Sequence, residues 1–291
     1  MALTSCKHSD KRMGRFYMTL MEAKKESLSR WKSTHSLAFV GLRTGMILDG
    51  GEYITLTNSH ATPTGGFSLN YRIDKDSASE MTIGSAVPIT EDGYFLTARH
   101  CVDDGSDTLA TLVRGENSVE LVKTGYRVVW ATDQKEDLDL ALIHADVRPY
   151  KPFEFANQES LNKGLILGAT GWSALTKGDS NPLAGMAVGN LESFQHLKTK
   201  KLEGKWMRVR HTVPLHPGDS GGPIVNESGQ LVGINSEVRI SFSEQVRSLF
   251  KKEANRRPAR GYIAIGAYPD LERIEAYIEA DRESKESLDT R

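Results

Sequence analysis

A serine in a tight, glycine-rich turn is the feature of this chain best suited to covalent chemistry. Residues 217–223 read PGDSGGP, with Ser220 at the centre. A serine hydroxyl is a weak nucleophile at neutral pH, so it needs a nearby base and donors for the oxyanion that its attack creates. Glycine adopts backbone angles closed to other residues, so Gly218 could point its N–H at the same spot as that of Ser220. Such clusters also mark ordinary turns, and this segment alone leaves both interpretations open.

Two upstream segments carry groups that could serve such a serine. Residues 93–102, GYFLTARHCV, are an apolar stretch that delivers His100 near its end. Residues 84–93 before it predict a hairpin, because a strand-like run is followed by a polar turn closed by Asp-Gly. Residues 137–143, DLDLALI, place Asp139 directly before an unbroken apolar run. Asp137 and Glu136 are predicted to be solvated.

These three segments together resemble the motifs of the trypsin-like (chymotrypsin-fold) serine peptidases. His100, Asp139 and Ser220 occur in the order that this family uses, each in its own matching motif. The sequence around residues 84–94 is most similar to the bacterial HtrA-like and glutamyl-endopeptidase-like branches of the family. Two positions depart from these patterns. Arg99 replaces the second alanine of the family's histidine motif, and Asp219 agrees with the trypsin branch where HtrA-like sequences more often have asparagine.

The resemblance implies a serine endopeptidase that works through an acyl-enzyme intermediate. Ser220 would be the nucleophile, His100 the base and Asp139 the group that orients the base, with the N–H groups of Gly218 and Ser220 as the oxyanion hole. His211 and His216 also lie close to Ser220 in sequence, but a base four residues away on the same loop would be hard to aim at Oγ, whereas His100 arrives from another strand. Two alternatives stay open: a catalytically silent binding module of the same fold, or a hydrolase of other acyl compounds, such as an esterase.

The resemblance also implies a substrate-binding pocket, and two predictions for the substrate side chain that it prefers stay open. A trypsin has aspartate at the position of Pro214, so cleavage after Lys or Arg is not expected. Arg260 could pair with an acidic substrate side chain. If it faces solvent instead, the pocket would take small or medium apolar side chains, and this second interpretation is favoured. The predicted substrate-binding residues are Pro214, Leu215, Ser236, Glu237, Val238 and Arg260.

The fold that must position these groups is predicted to be all-β. From about residue 36 the chain reads as short strands and turns, which the resemblance implies are two antiparallel six-stranded β-barrels with a C-terminal α-helix. The predicted domains are a basic, possibly helical segment at 1–35, a first barrel at 36–150 with His100 and Asp139, and a second barrel with the helix at 151–291. The helix is predicted over 270–281, with Asp270 as N-cap and a frayed end at 282–291.

Composition excludes several other classes of function. The 291 residues carry a net charge of −1, which gives no reason to expect a nucleic-acid partner. No metal-binding or nucleotide-binding motif is present, so no metal or cofactor is predicted, and the expected partner is a protein or peptide substrate. Of the two cysteines, Cys101 has no candidate partner on the preceding strand and is predicted to be a buried free thiol.

The location of the protein is addressed only through the resemblance. Residues 1–35 lack the apolar core of a signal peptide, and no stretch is long enough to span a membrane. No PDZ domain, such as full-length HtrA proteins carry, is seen. Peptidases of this fold mostly act outside the cytoplasm, so an extracytoplasmic location, whether periplasmic, secreted or lipid-anchored, is expected.

Overall fold

The computed structural model shows a chain built mainly from β-strands. Within the described residues it forms fifteen strands, two α-helices and three short 3-10 turns. The structure describes residues 28–31, 34–48, 54–61, 67–73, 83–102, 108–114, 119–133, 137–171, 186–197, 203–215, 218–240 and 262–289.

The strands divide into two lobes in chain order. The first lobe contains β1 (Gly45–Leu48), β2 (Ile54–Ala61), β3 (Phe67–Ile73), β4 (Ile83–Pro88), β5 (Tyr94–Thr97), β6 (Thr108–Arg114), β7 (Val119–Gly125), β8 (Arg127–Ala131) and β9 (Ala141–His144). The second contains β10 (Ile166–Ala169), β11 (Ala187–His196), β12 (Met207–His211), β13 (Pro223–Val225), β14 (Leu231–Ile240) and β15 (Tyr262–Tyr268). Helix α1 (Thr34–Arg43) precedes the first lobe, and helix α2 (Leu271–Asp289) follows the second.

The predicted all-β class with a C-terminal helix is confirmed, and the two lobes differ in detail. The second lobe is a closed six-stranded barrel in the order β10-β11-β12-β15-β14-β13. The first lobe was predicted to be a six-stranded barrel, but its described strands form a seven-stranded antiparallel sheet in the order β7-β6-β1-β4-β5-β9-β8, which does not close on itself. Strands β2 and β3 form a separate hairpin sheet inserted between β1 and β4.

The largest core cluster joins the two lobes and also includes the segment that precedes them. Trp31 and Leu37, which lie before the first strand, are buried in this cluster together with Tyr94 and Trp206. These two side chains pack closely against Gly168 of the second lobe, where an added Cβ would lie 2.7 Å from Leu37 Cδ1 and force that side chain to shift. Trp31 comes from the segment 1–35, which was predicted to be basic and possibly helical, and it thus contributes to the main core. Leu37 lies in helix α1, so the prediction of strands from about residue 36 is wrong for residues 36–43.

Helix α2 begins as predicted but ends later. The Asp270 carboxylate accepts a hydrogen bond from the Arg273 N–H at 3.3 Å, in agreement with its predicted capping role. Residues 282–289, predicted to be frayed, are helical. Two of their charged side chains also reach the first lobe. Arg282 lies 2.8 Å from Asp92, and Lys285 lies 3.4 Å from Asp146. Neither described helix is long and apolar enough to cross a membrane.

Candidate active site

The pairing of two neighbouring strands brings His100 and Asp139 together. His100 lies in a 3-10 turn directly after β5, and Asp139 lies two residues before β9. Strands β5 and β9 are antiparallel, with Thr97 opposite Ala141. The end of one strand therefore meets the start of the other, although the two residues are far apart in the sequence.

Both carboxylate oxygens of Asp139 hold His100. Oδ2 lies 2.6 Å from the imidazole Nδ1, and Oδ1 accepts the His100 backbone N–H at 3.0 Å. The hydroxyl of Ser236, on β14 of the other lobe, donates to Oδ2 at 2.7 Å. This arrangement fixes the orientation of the ring and favours the tautomer with a proton on Nδ1, which leaves Nε2 as the free base.

Electrostatics at this pair favour a charged imidazole and a charged carboxylate. Burial by itself lowers the pKa of His100, but the hydrogen bond to Asp139 and the nearby Cys101 thiol outweigh it and raise that pKa above its ordinary value. Burial raises the pKa of Asp139, while the bonds from His100 and Ser236 lower it further than burial raises it. A reaction that needs neutral His100 should therefore gain rate only at pH values above the ordinary range of histidine.

The turn that carries Ser220 depends on two glycines with left-handed backbone angles. Gly218 has φ of 94° and Gly221 has φ of 79°, conformations that other residues rarely adopt. A Cβ on Gly221 would also lie 2.0 Å from the carbonyl oxygen of Ser85 in the first lobe. Glycine is thus required at this position both for the turn and for the contact between the lobes.

Ser85, on β4, fastens the Ser220 turn to the first lobe at two points. Its backbone N–H donates to the carbonyl oxygen of Ser220 at 2.7 Å, and its hydroxyl donates to the carbonyl oxygen of Gly218 at 2.8 Å. Thr97 in turn donates its hydroxyl to the carbonyl of Ser85 at 2.7 Å. The strand before the histidine therefore sets the position of the serine.

The hydroxyl of Ser220 faces a backbone carbonyl. It donates to the carbonyl oxygen of Ser236 at 3.2 Å. Transfer of its proton to His100 would require it to leave this carbonyl first, as catalytic hydrogen bonds often tighten only when substrate binds. In the described part of the chain the Ser220 backbone N–H donates to no carbonyl oxygen.

The predicted substrate-binding residues are only partly described. Pro214 and Glu237 are half-buried, and Leu215 is buried in the core of the second barrel. Val238 lies on β14, with its side chain outside the described part, and Arg260 lies outside the described residues. His211, one of the alternative bases, is fully buried on β12 and therefore has no surface from which it could serve a substrate-bound Ser220.

Three contacts of the site were not foreseen from the sequence. The two bonds from Ser85 are the first. Second, the Arg208 guanidinium on β12 lies 3.4 Å from the carboxylate of Asp137, which is exposed as predicted. Third, the Arg99 guanidinium lies 4.0 Å from Asp139. Each contact joins residues distant in sequence or depends on a side-chain direction, and no local motif signals it.

The prediction that Cys101 is a buried free thiol is confirmed.

The two β-lobes, with His100 and Asp139 on one and Ser220 on the other, define the architecture of a chymotrypsin-like peptidase domain. The family model for the trypsin-like peptidase domain matches residues 84–234, just over half of the chain. The chain belongs to this family, which confirms the resemblance inferred from the three motifs.

Relatives and solved structures agree with this assignment. A protein of Pseudomonas fluorescens Pf-5, named a probable periplasmic serine endoprotease DegP-like, is 27% identical over 168 residues, which cover 54% of this chain and 29% of the relative. A protein of the same name from Chlamydia pneumoniae is 25% identical over 174 residues, covering 59% of this chain and 32% of the relative. The chain thus spans about a third of the length of these relatives.

Among solved structures, the HtrA-type protease AlgW with a tripeptide superposes with a TM-score of 0.52 at 19% identity. The match covers 86% of this chain and 64% of AlgW. At this identity the likeness shows the fold alone.

Proposed function

We propose that this protein is a serine endopeptidase that hydrolyses peptide bonds with Ser220, His100 and Asp139. The observation that carries the proposal is the double attachment of His100 to Asp139, at the ring and at the backbone, together with Ser236, which is hydrogen-bonded both to Asp139 and to the hydroxyl of Ser220. A metal-free acyl transfer needs a nucleophile, a base held in one tautomer and oxyanion donors. The described residues offer each of these groups.

The reaction would follow from these roles. Ser220 Oγ attacks the carbonyl carbon of the substrate while His100 Nε2 accepts its proton, and the N–H groups of Gly218 and Ser220 stabilise the oxyanion. The C–N bond then breaks, and the amine leaves with the proton from His100. Water attacks the resulting ester with His100 again as base, which releases the carboxylic acid and restores Ser220.

An extended peptide is the substrate best supported, because the pairing of β13 with β14 ends close to Ser220. Strand β13 pairs with β14 only as far as Ile234, whereas β14 continues to Ile240 with β15 along its other edge. A peptide could add to the edge of β14 beyond Ile234 through backbone hydrogen bonds. A small ester could not use such an edge.

The finer assignments belong to the same proposal. The half-buried Pro214 and the buried Leu215 support a preference for small or medium apolar side chains, and an acidic preference through Arg260 is the alternative. The relatives are named periplasmic, which supports an extracytoplasmic location for this chain as well.

A fluorophosphonate probe and a peptide library test the proposal together. The unaltered protein should be labelled by the probe and should cleave peptides, and Ser220→Ala should lose both properties. Ser228→Ala, in an exposed turn of the same lobe, is the matched control and should keep both. Labelling of Ser220→Ala, or hydrolysis by that variant within tenfold of the unaltered protein, would refute the assignment.

The same experiment decides between the enzyme and a silent binding module. The hydrogen bond from the Ser220 hydroxyl to the carbonyl of Ser236 is the observation that favours the second candidate. A silent module would bind peptides from the library but would neither cleave them nor react with the probe.

A further inference from the structure

Arg99 places a positive charge at the triad, where the related histidine motif has alanine. It lies in the same 3-10 turn as His100 and directly precedes it. Its side chain is 15% exposed, so its charge is only partly screened by water. Its Nε atom lies 4.0 Å from Oδ1 of Asp139. Neither the family assignment nor the roles proposed above give this residue a task.

The two oxygens of Asp139 face different partners. Oδ2 is occupied by the ring of His100 and the hydroxyl of Ser236. Oδ1 faces the backbone N–H of His100 and the guanidinium of Arg99. When His100 accepts a proton, two cations therefore share one carboxylate, whereas an alanine at residue 99 would leave the carboxylate to the imidazolium alone.

We propose that Arg99 is a positioning residue of the triad whose charge offsets part of that of Asp139, so that His100 stays neutral at a lower pH than it would beside alanine. A second positive charge beside the carboxylate that pairs with the imidazolium disfavours protonation of the imidazole. The consequence for catalysis rests on the proposed peptidase function, but the effect on the imidazole does not.

The other groups around the imidazole do not supply this charge. The hydroxyls of Ser220 and Ser236 are uncharged, Cys101 raises the pKa of His100 and so acts in the opposite sense, and Asp137 is paired with Arg208. The other charged or titratable groups next to these residues are Cys101, Asp137 and the buried Asp219 beside the triad, Glu237 beside Ser236, and Arg208, which pairs with Asp137. Among these the one cation, Arg208, faces Asp137, so Arg99 is the described cation that faces Asp139.

The first experiment titrates the imidazole of His100 by NMR in protein with labelled histidine. The His100 signal is assigned by its loss in His100→Gln. Arg99→Ala should raise the titration midpoint by roughly half to one pH unit. Arg99→Lys, which keeps the charge, should stay near the unaltered protein, and Arg99→Gln should behave like Arg99→Ala. An unchanged or lowered midpoint in both Arg99→Ala and Arg99→Gln would overturn the proposal.

The second experiment separates this proposal from the proposed function. If the protein is a peptidase, the acidic limb of its kcat/KM profile should move to higher pH in Arg99→Ala by the same amount as the NMR midpoint. Below that limb the variant would be about three to ten times slower, since that shift lowers the fraction of neutral His100 accordingly. A shifted NMR midpoint without hydrolysis by the unaltered protein would refute the function and leave the role of Arg99 intact. A structural role for Arg99 would change kcat/KM equally at every pH.

Discussion

The carboxylate of Asp139 depends on Ser236 as well as on His100. The Ser236 hydroxyl is buried and donates to Oδ2 at 2.7 Å. A hydrogen bond to a charged group contributes about 1.5–3 kcal/mol. Because Asp139 holds the ring of His100, we expect Ser236→Ala to lower kcat/KM by about tenfold or more, with most of the loss in kcat. Steady-state kinetics above the pH of the acidic limb measure this loss.

Ser236→Thr is the matched control, because it keeps the hydroxyl on the same strand. It should retain most of the activity that Ser236→Ala loses. Equal losses in the two variants would show that the substitution disturbs β14 and not the bond to Asp139.

The sequence allowed the three candidate catalytic residues to be named but not their supporting contacts. His100, Asp139 and Ser220 each lie in a short sequence motif, and such a motif can be recognised from one sequence alone. The bonds from Ser85 to Gly218 and Ser220 form across the interface between the lobes. Such contacts depend on how two strands face each other, and a serine on an apolar strand gives no sign of them.

Strand β4 holds the turn that carries Ser220 in place through hydrogen bonds from Ser85. The Ser85 side chain is fully buried and holds the carbonyl of Gly218 at 2.8 Å. Without this bond the turn keeps its two glycines, but the carbonyl of Gly218, next to the proposed oxyanion hole, is no longer anchored by a side chain. Ser85→Ala should therefore reduce kcat by about tenfold, since a buried acceptor left without a donor costs about 1–3 kcal/mol. KM for a peptide should change little, because β14 is untouched.

A buried hydroxyl elsewhere in the same sheet gives the control for this prediction. Thr111, on β6, is buried, and its hydroxyl makes no hydrogen bond within the described part of the chain. Thr111→Val should leave kcat unchanged. A loss of kcat in Thr111→Val as large as that in Ser85→Ala would mean that the whole sheet, and not the Ser85 bond, sets the rate.

The elements themselves were predictable to different degrees. The hairpin expected from residues 84–93 and the histidine strand after them is β4 and β5, because strand-like runs on either side of a polar turn closed by Asp-Gly are a local signal. The end of α2 was misjudged for the opposite reason. Residues 282–289 read as a charged, frayed tail, whereas Arg282 and Lys285 in this stretch lie near Asp92 and Asp146 of the first lobe, contacts that no local pattern signals.

Long-range contacts at both ends of the chain bind the two lobes into one unit. Trp31 and Leu37, before the first lobe, are buried in a cluster that also holds residues of both lobes. At the other end, the ring of Trp130 on β8 stacks on Trp206 of the second lobe and on Tyr277 of α2. These stacks join the first lobe to the second lobe and to the helix. Loss of either lobe should therefore affect the whole molecule, and global stability becomes a readout for groups buried deep within one lobe.

His211 is such a group, and it should make the protein sensitive to acid. The side chain is fully buried in the second barrel. Burial lowers the pKa of His211 to about 3, and the neighbouring Asn235 offsets this only in part. The unfolded chain binds a proton near the ordinary value of about 6.5, whereas the folded chain does not. The contribution of His211 to stability is therefore fully present above pH 6.5 and is lost as the pH falls from 6.5 towards 3.

Urea unfolding at a series of pH values tests this expectation with His211→Val. Below pH 6.5 the free energy of unfolding of the unaltered protein should fall by about 1 kcal/mol more per pH unit than that of the variant. At pH 8, where the imidazole is neutral in both states, the variant should differ only by a constant packing term. Parallel curves between pH 6.5 and pH 4.5 would show that His211 is protonated to the same degree in the folded and unfolded chain, and the barrel would then have to accommodate the charge.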